Sequence, residues 1–190
     1  MSDISGNYGI LSGNRILEEI EKGNIQIDPF EKSRLNPNSY NVRLAGELLT
    51  YDHAILDMRN EIPYTIESIP STGKLLIPGK LYLARTMERT KTIGFVPMLE
   101  GRSSVGRLGL FIHATAGFGD NGFDGFWTLE LSCVQPVILY AGVEIGQLYF
   151  HTIADTDSMG EAGAPVHYTN GKYQNNNGIQ PSMLWKEFQE

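Results

Sequence analysis

Residues 100–131, which read EGRSSVGRLGLFIHATAGFGDNGFDGFWTLEL, carry the strongest structural pattern in the chain. Their apolar side chains gather in two short runs, 108–113 and 127–131, and the second run alternates apolar with polar residues. A glycine-rich segment, 116–123, separates the two runs. Short runs bounded by Gly, Asn and Asp are typical of β-strands joined by a turn. The stretch therefore predicts a β-hairpin.

Similar short apolar segments continue on both sides of this stretch, separated by Gly, Pro, Asn and Asp. They are residues 40–44, 75–77, 81–84, 95–99, 137–139 and 147–150. The chain contains no fixed-period repeat and no linker. We therefore predict a mainly β fold, as a sandwich, jelly roll or barrel, in a single domain of residues 1–190.

One amphipathic helix is predicted near the N-terminus. Ser12 is a suitable N-cap, Ile16, Leu17 and Ile20 fall on one face, and Gly23 follows as a stop signal. The pattern predicts a short amphipathic helix near the N-terminus.

The bulk composition limits the classes of partner. A net charge of -7 argues against binding long nucleic acid through a broad electrostatic surface. No apolar run is long enough to cross a membrane, and residues 1–8 lack the pattern of a signal peptide. The single cysteine, Cys133, excludes an intramolecular disulfide and suits a reducing compartment. We therefore expect a cytoplasmic protein.

Zinc chemistry has no support in the sequence. Zinc-dependent base deaminases need a pair of cysteines in a P-C-x-x-C element, and this chain has one cysteine. Its four histidines are scattered, and two of them, His113 and His151, lie in apolar segments as candidate core or interface residues. No protein metal site is predicted.

Residues 101–107 have the composition of a phosphate site. Arg102 supplies a guanidinium, Ser103 and Ser104 supply hydroxyls, and Arg107 adds a second cation. The same residues would equally suit a polar turn beside an exposed arginine. Both interpretations stay open on composition.

Glu130 and Asp120 are the carboxylates of interest in the hairpin. Strict alternation over residues 127–131 places Glu130 on the face opposite Trp127 and Leu129. That face is either exposed to solvent on an ordinary strand, or part of a site in which Glu130 is a candidate general base. Periodicity does not choose between the two.

Five segments resemble the dCTP deaminase branch of the dUTPase-like superfamily, in the order found in that family. They are residues 36–44 (NPNSYNVRL), 101–110 (GRSSVGRLGL), 115–131 (TAGFGDNGFDGFWTLEL), 143–148 (VEIGQL) and 172–178 (KYQNNNG). The resemblance implies a distorted β-barrel or jelly roll, a homotrimer, and active sites shared between neighbouring subunits. It also implies that Mg²⁺ is held mainly by the nucleotide triphosphate and that no zinc takes part.

The resemblance assigns the chemistry to four residues. Glu130 would be the general base that activates water for attack on C4 of cytosine, and Ser103 and Arg107 would position that water. The expected reaction is the hydrolysis of dCTP to dUTP and ammonia. The alternative is a bifunctional enzyme that continues to dUMP and pyrophosphate, since Gly117 and Phe118 resemble that group; Asp120 would then position the second water.

The resemblance also assigns substrate contacts and a mobile lid. Residues 164–190 would form a C-terminal lid and tail, although the composition of residues 171–178 alone indicates a frayed terminus. dCTP and dUTP would be the substrates, with dTTP as a candidate inhibitor. The implied substrate-binding residues are Arg102, Ser104, Ala114, Thr115, Ala116, Gln147, Tyr168, Lys172 and Asn176.

Four departures from the family pattern accompany these assignments, and one of them is Asn176, which stands where a longer glutamine is common. Asn41 stands where many relatives carry Asp, and Gly119 and Asn121 replace a bulkier apolar residue and a proline, so the loop is expected to be more flexible. Two rival functions remain: a dUTP pyrophosphatase alone, and a non-catalytic nucleotide-binding regulator. The set of Glu130, Ser103 and Arg107 favours the deaminase, because a pyrophosphatase needs no base aimed at C4.

Overall fold

The structure, a computed structural model, describes residues 9–113, 116–153 and 171–189. Helix α1 spans Gly13–Glu21 and the short helix α2 spans Ser103–Gly106, and 3₁₀ turns cover Lys32–Arg34 and Leu184–Phe188. The strands are β1 Ile25–Asp28, β2 Tyr40–Arg43, β3 Glu47–Tyr51, β4 Tyr64–Ser68, β5 Lys74–Leu76, β6 Tyr82–Thr92, β7 Phe95–Gly101, β8 Leu110–Phe111, β9 Asp124–Cys133, β10 Val137–Leu139 and β11 Glu144–Thr152. The prediction of a mainly β fold with a short N-terminal helix is confirmed.

The strands form three antiparallel sheets around one main core. The largest sheet has the order β4-β3-β6-β9-β8, and β1 also pairs with β6. A second sheet has the order β2-β11-β7, and β5 pairs with β10. Among the described residues, no helix is long and apolar enough to span a membrane.

Strand β9 has one face in the core and one face outside it, as its alternation predicts. Trp127, Leu129 and Leu131 are buried in the core, while Thr128 and Glu130 are half-buried on the opposite face. Burying every second side chain removes apolar surface from water and fixes the register, because a slip by one residue would reverse the faces.

Helix α1 begins and ends where the sequence predicts. The Oγ of Ser12 accepts a hydrogen bond from the backbone N–H of Arg15 at 3.3 Å, and Gly23 has a positive φ of 79°. Ile16 is fully buried, with Ile20 packed against the same core. The apolar face therefore anchors the helix to the sheets.

Strand β6 is much longer than the segment 81–84 that its apolar pattern predicts. A bulge between Arg85 and Arg89 carries the strand past a buried carboxylate, that of Glu88. Glu88 accepts hydrogen bonds from the backbone N–H and the Nε of Arg43, at 2.8 and 2.7 Å. This bond raises the pKa of the Arg43 guanidinium. Charged residues in β6 hide the strand from hydrophobic periodicity. Glu88 pairs with Arg43 of β2, while Arg89 and Lys91 pair with Asp124 of β9.

The C-terminal segment 171–189 packs against β9 and extends the sheet face. The amide of Asn176 accepts from Phe126 N at 3.1 Å and donates to Phe126 O and Tyr173 O at 3.0 and 2.9 Å. Ile179 is buried against Leu49 and Leu83. This contradicts the frayed-terminus interpretation of residues 171–178; residues 164–170 of the expected lid lie outside the described residues.

Replacing Asn176 by alanine should loosen this segment. The change removes three hydrogen bonds and leaves Phe126 N–H and C=O groups unpaired, so we expect a loss of about 1–3 kcal/mol of stability. Thermal unfolding measures the loss, and trypsin cleavage after Lys172 reports the release of the segment. Asn177→Ala, an exposed neighbour, is the matched control. Equal melting temperatures for the two variants would refute the anchoring role.

Candidate active site

A cleft of about 500 Å³ lies over the face of the large sheet that carries Thr128 and Glu130, and it reaches the edge of the core at Trp127. Its floor comes from β3, β6 and β9, one wall from the loop 116–123, and the other wall from the C-terminal segment. The lining residues are mostly apolar or aromatic: Tyr51, Leu81, Leu83, Ala116, Phe118, Gly119, Asp120, Phe123, Phe126, Trp127, Thr128, Glu130, Tyr173, Asn176, Gln180, Pro181 and Ser182. Such a lining suits the planar base and the deoxyribose of a nucleotide.

Glu130 lies on the floor of the cleft and is held by a histidine from beneath. Its Oε2 is 2.8 Å from Nδ1 of His113, and its side chain is 36% exposed while that of His113 is 6% exposed. An ionised carboxylate can only accept, so Nδ1 carries the proton of this bond. The backbone N–H of Glu130 donates to Ile112 O at 2.8 Å. One carboxylate oxygen is therefore fixed, and the other faces the cleft.

Asp120 lines the opposite wall of the cleft, in an exposed position. It belongs to a loop that several backbone contacts hold to β7: Leu99 N donates to Gly117 O at 2.7 Å and Gly119 N donates to Pro97 O at 2.9 Å. The Oδ1 of Asn121 accepts from Gly94 N at 2.8 Å. The substituted residues Gly119 and Asn121 themselves take part in these contacts, and the greater flexibility of the loop stays a prediction.

Gly119 is buried and leaves no room for a larger side chain. A Cβ at this position would lie 2.5 Å from Cη2 of Trp127 and 2.9 Å from Cγ of Pro97. The large indole of Trp127 fills the space that an apolar side chain at position 119 would need. The glycine and the tryptophan are therefore complementary in volume.

This complementarity predicts coupled stabilities at positions 119 and 127. Gly119→Ala overpacks the site and should cost about 1–3 kcal/mol. Trp127→Phe removes the indole bond to Thr90 Oγ1, which is 2.9 Å long, and should also destabilise. The double variant should lose less than the sum of the single losses, because the smaller ring makes room for the methyl group. Additive losses in denaturant unfolding would refute the steric coupling.

The residues predicted to bind phosphate lie outside the cleft. Arg102 is the N-cap of α2, and Ser103, Ser104 and Arg107 are exposed on or just after this helix. In the part of the chain that the structure describes, these four residues do not line the cleft. Within one chain, therefore, Arg102 and Arg107 lie outside the cleft that contains Glu130.

A polar cluster beside α2 joins three of the five recognised segments. Arg102 forms an ion pair with Glu144 at 2.9 Å, and Asn41 donates to the same carboxylate at 2.9 Å. Gln147, a predicted substrate residue, accepts from Ser39 Oγ at 3.2 Å. Segments 36–44, 101–110 and 143–148 therefore meet at one place, because β11 pairs with both β2 and β7.

The remaining predicted contacts are only partly described. Ala116 and Asn176 line the cleft, and both amide atoms of Asn176 already bind the backbone. Lys172 forms an ion pair with Glu187 and does not appear in the cleft wall. Ala114, Thr115 and Tyr168 lie outside the described residues. Within the described ranges, no group of three or more His, Cys, Asp or Glu side chains could hold a metal ion.

Sequence reasoning missed two residues of interest, His113 and Glu144. His113 was assigned to a core or interface, and only its position at the end of the run 108–113, opposite Glu130 in the hairpin, could have indicated the pairing. Glu144 lies in the segment VEIGQL, where its charge within an apolar strand was the available signal. Both contacts join residues distant in sequence.

Comparison with known proteins gives consistent matches over nearly the whole chain. The pattern of the family described as dCTP deaminase-like matches residues 10–153. A protein of Hathewaya histolytica named dCTP deaminase, dUMP-forming, is 57% identical over 180 residues, covering 95% of this chain and 99% of that protein. A protein of Cytophaga hutchinsonii with the same name is 54% identical over 181 residues, with the same shares covered.

Among solved structures, the 2'-deoxycytidine 5'-triphosphate deaminase of Agrobacterium tumefaciens has a similar fold. It aligns with a TM-score of 0.61 and 19% identity, and the match covers 78% of this chain and 49% of that one. At this identity the likeness supports the fold alone.

Proposed function

Because this chain belongs to the dCTP deaminase-like family, we propose that it hydrolyses dCTP to dUMP, ammonia and pyrophosphate in two steps. The relatives more than half identical to it are named as dUMP-forming, which supports the bifunctional alternative over an enzyme that stops at dUTP. The observation that carries the proposal is the position of Glu130, fixed by His113 on the floor of a largely apolar cleft.

Glu130 is the general base and proton carrier of the first step. It takes a proton from the water that attacks C4 of cytosine, and passes this proton to N3 as the new C–O bond forms. Glu130 then transfers the hydroxyl proton to the exocyclic amino group, and the C4–N bond breaks to release ammonia. Because His113 occupies Oε2, the free oxygen Oε1 performs both transfers.

Asp120 is the proposed orienting group of the second step. Its exposed carboxylate lines the same cleft as that of Glu130. It would position a second water against the α-phosphorus of dUTP, and the bond to the β-phosphate oxygen breaks to give dUMP and pyrophosphate.

We propose that the active site is completed by a neighbouring subunit of a homotrimer. Of the described residues that line the cleft, the charged ones are Asp120 and Glu130, so the cleft alone would repel a triphosphate. Arg102, Ser103 and Arg107 are partly or fully exposed on another surface of the chain. If Arg102 and Arg107 of one subunit faced the cleft of the next, they would offset its negative charge and bind the phosphates.

Mg²⁺ would accompany the substrate. It prefers oxygen ligands, keeps several waters and is commonly bound through one or two carboxylates together with phosphates, so the exposed Asp120 and the triphosphate oxygens fit it. When bound, the ion would neutralise charge on the phosphates. The single cysteine of the chain gives no thiolate pair for a catalytic zinc, so the proposed deamination is zinc-independent.

Two further assignments complete the proposal. dTTP shares the deoxyribose and triphosphate of the substrate and a similar pyrimidine, which makes it the candidate inhibitor. A cytoplasmic location suits both the nucleotide substrates and the single unpaired cysteine.

Incubating the purified protein with dCTP and Mg²⁺ tests the proposal directly. Chromatography resolves the nucleotides, and ammonia is assayed in parallel. We expect ammonia, dUMP and pyrophosphate in equal amounts. Accumulating dUTP would establish a deaminase that stops after one step. Cleavage of dUTP without ammonia from dCTP would favour the pyrophosphatase, and binding without any product would favour the regulator.

A further inference from the structure

Glu144 is the centre of a polar network that includes Arg102. Its Oε2 lies 2.9 Å from Nη1 of Arg102 and accepts from Nδ2 of Asn41 at 2.9 Å. Its Oε1 lies 2.8 Å from Nη1 of Arg34. The backbone carbonyl of Glu144 also accepts from Nη1 of Arg102 at 3.3 Å. One glutamate thus holds two guanidinium groups and one carboxamide.

The sheet topology places Glu144 within reach of both Asn41 and Arg102. Strand β11 lies between β2 and β7, so Glu144 is close to Asn41 on one side and to the end of β7, which leads into Arg102, on the other. The register of β11 shifts between Glu144 and Gly146. That irregularity turns Glu144 out of the simple alternation of its strand.

The carboxamide of Asn41 both donates and accepts hydrogen bonds in this network. Asn41 is buried, its Nδ2 donates to Glu144, and its Oδ1 accepts from Nδ2 of Asn36 at 2.8 Å. A carboxylate at position 41 could not donate, and would place two negative groups in contact. The cluster therefore needs a carboxamide at position 41 and a carboxylate at position 144.

The bonds to Glu144 leave part of Arg102 for a ligand. They use Nη1, whereas the donors on Nε and Nη2 are not used in them, and the side chain is 36% exposed. A guanidinium fixed along one edge presents its other edge in a defined direction, which suits phosphate oxygens.

We propose that Glu144 is a positioning residue that orients Arg102 toward the triphosphate, and that the carboxamide of Asn41 holds the carboxylate of Glu144 in place for this role. This inference rests on the proposed function, because it assigns Arg102 to the phosphates of the substrate. Glu144 itself contacts neither the cleft nor the reacting atoms.

The test compares Glu144→Gln, Asn41→Asp and the double variant in dCTP deamination. In each single variant we expect the KM for dCTP to rise about tenfold with kcat changed less than about twofold, because Arg102 is no longer held in one orientation. In the double variant the KM should stay raised by about tenfold or more, because a carboxamide at position 144 offers one acceptor oxygen where Arg34 and Arg102 need two. The inhibition constant of deoxycytidine, which has no phosphate, should stay unchanged throughout.

The controls separate this inference from the proposed function and from misfolding. Glu18→Gln, an exposed glutamate on α1, should behave as the unmodified protein, and Glu144→Asp keeps the charge if Glu144→Gln fails to fold. Absence of ammonia from the unmodified protein would overturn the proposed function. Turnover in that protein, with a KM unchanged in Glu144→Gln or with a KM restored to the original in the double variant, would overturn the positioning role alone.

Discussion

Replacing Glu130 by glutamine will reduce ammonia release from dCTP by roughly 10²–10⁴-fold, the usual contribution of a general acid–base residue. Glutamine keeps the shape of the side chain and still accepts a hydrogen bond from Nδ1 of His113, so the floor of the cleft is preserved. It cannot take a proton from water. The loss will therefore appear in kcat, while dCTP affinity stays within a few-fold of the original.

Single-turnover ammonia assays and calorimetric dCTP binding measure these two quantities separately. Glu18→Gln is the matched control, since it makes the same chemical change on the exposed face of α1. Substantial deamination by Glu130→Gln would remove this residue from the role of base. A parallel loss of dCTP binding would mean that Glu130 holds the substrate and does not activate water.

Mixing two inactive variants will restore activity if the active site is shared. In Glu130→Gln chains the cleft lacks its base, and in Arg107→Ala chains the neighbouring surface lacks a cation. When the two are denatured together and refolded in equal amounts, about a quarter of the sites will combine an intact Glu130 with an intact Arg107. We therefore expect about a quarter of the original deaminase activity, from two proteins that are each nearly inactive.

The refolding experiment needs controls for yield and for assembly. Unmodified protein taken through the same procedure sets the reference activity, and light scattering reports the mass of the assembly relative to the 21.1 kDa chain. A site built within one chain would give no recovery, because every chain in the mixture carries one defect. A mass equal to a single chain would contradict the homotrimer as well.

The local features of this fold could be predicted from residue patterns. The helix α1 follows from Ser12, Ile16 and Gly23, because capping and a 3.6-residue period act over a few residues. The face of β9 that enters the core follows from the alternation of Trp127 and Leu129. These features depend on residues that are close in sequence, so they can be predicted from residue patterns.

The residues around Glu130 required the tertiary structure. Glu130 on the outer face was compatible with plain solvent exposure until the C-terminal segment was found packed over the same face. Likewise, the bond from His113 depends on the path of β8 beside β9, and residues 171–178 are anchored by backbone groups of β9 that no composition reveals. Such contacts arise from chain reversal and strand pairing over long separations.

Residue patterns were enough to predict the fold class, helix α1, the inward face of β9 and, through the order of five segments, the family. They could not show that Glu130 meets a histidine, that residues 171–189 form one wall of the cleft, or that Arg102 is held by Glu144, a residue 42 positions away. The physical reason is that hydrophobic periodicity reports only whether a side chain faces the core. The partners of a side chain on the outer face depend on sheet register and on charge pairing between strands distant in sequence.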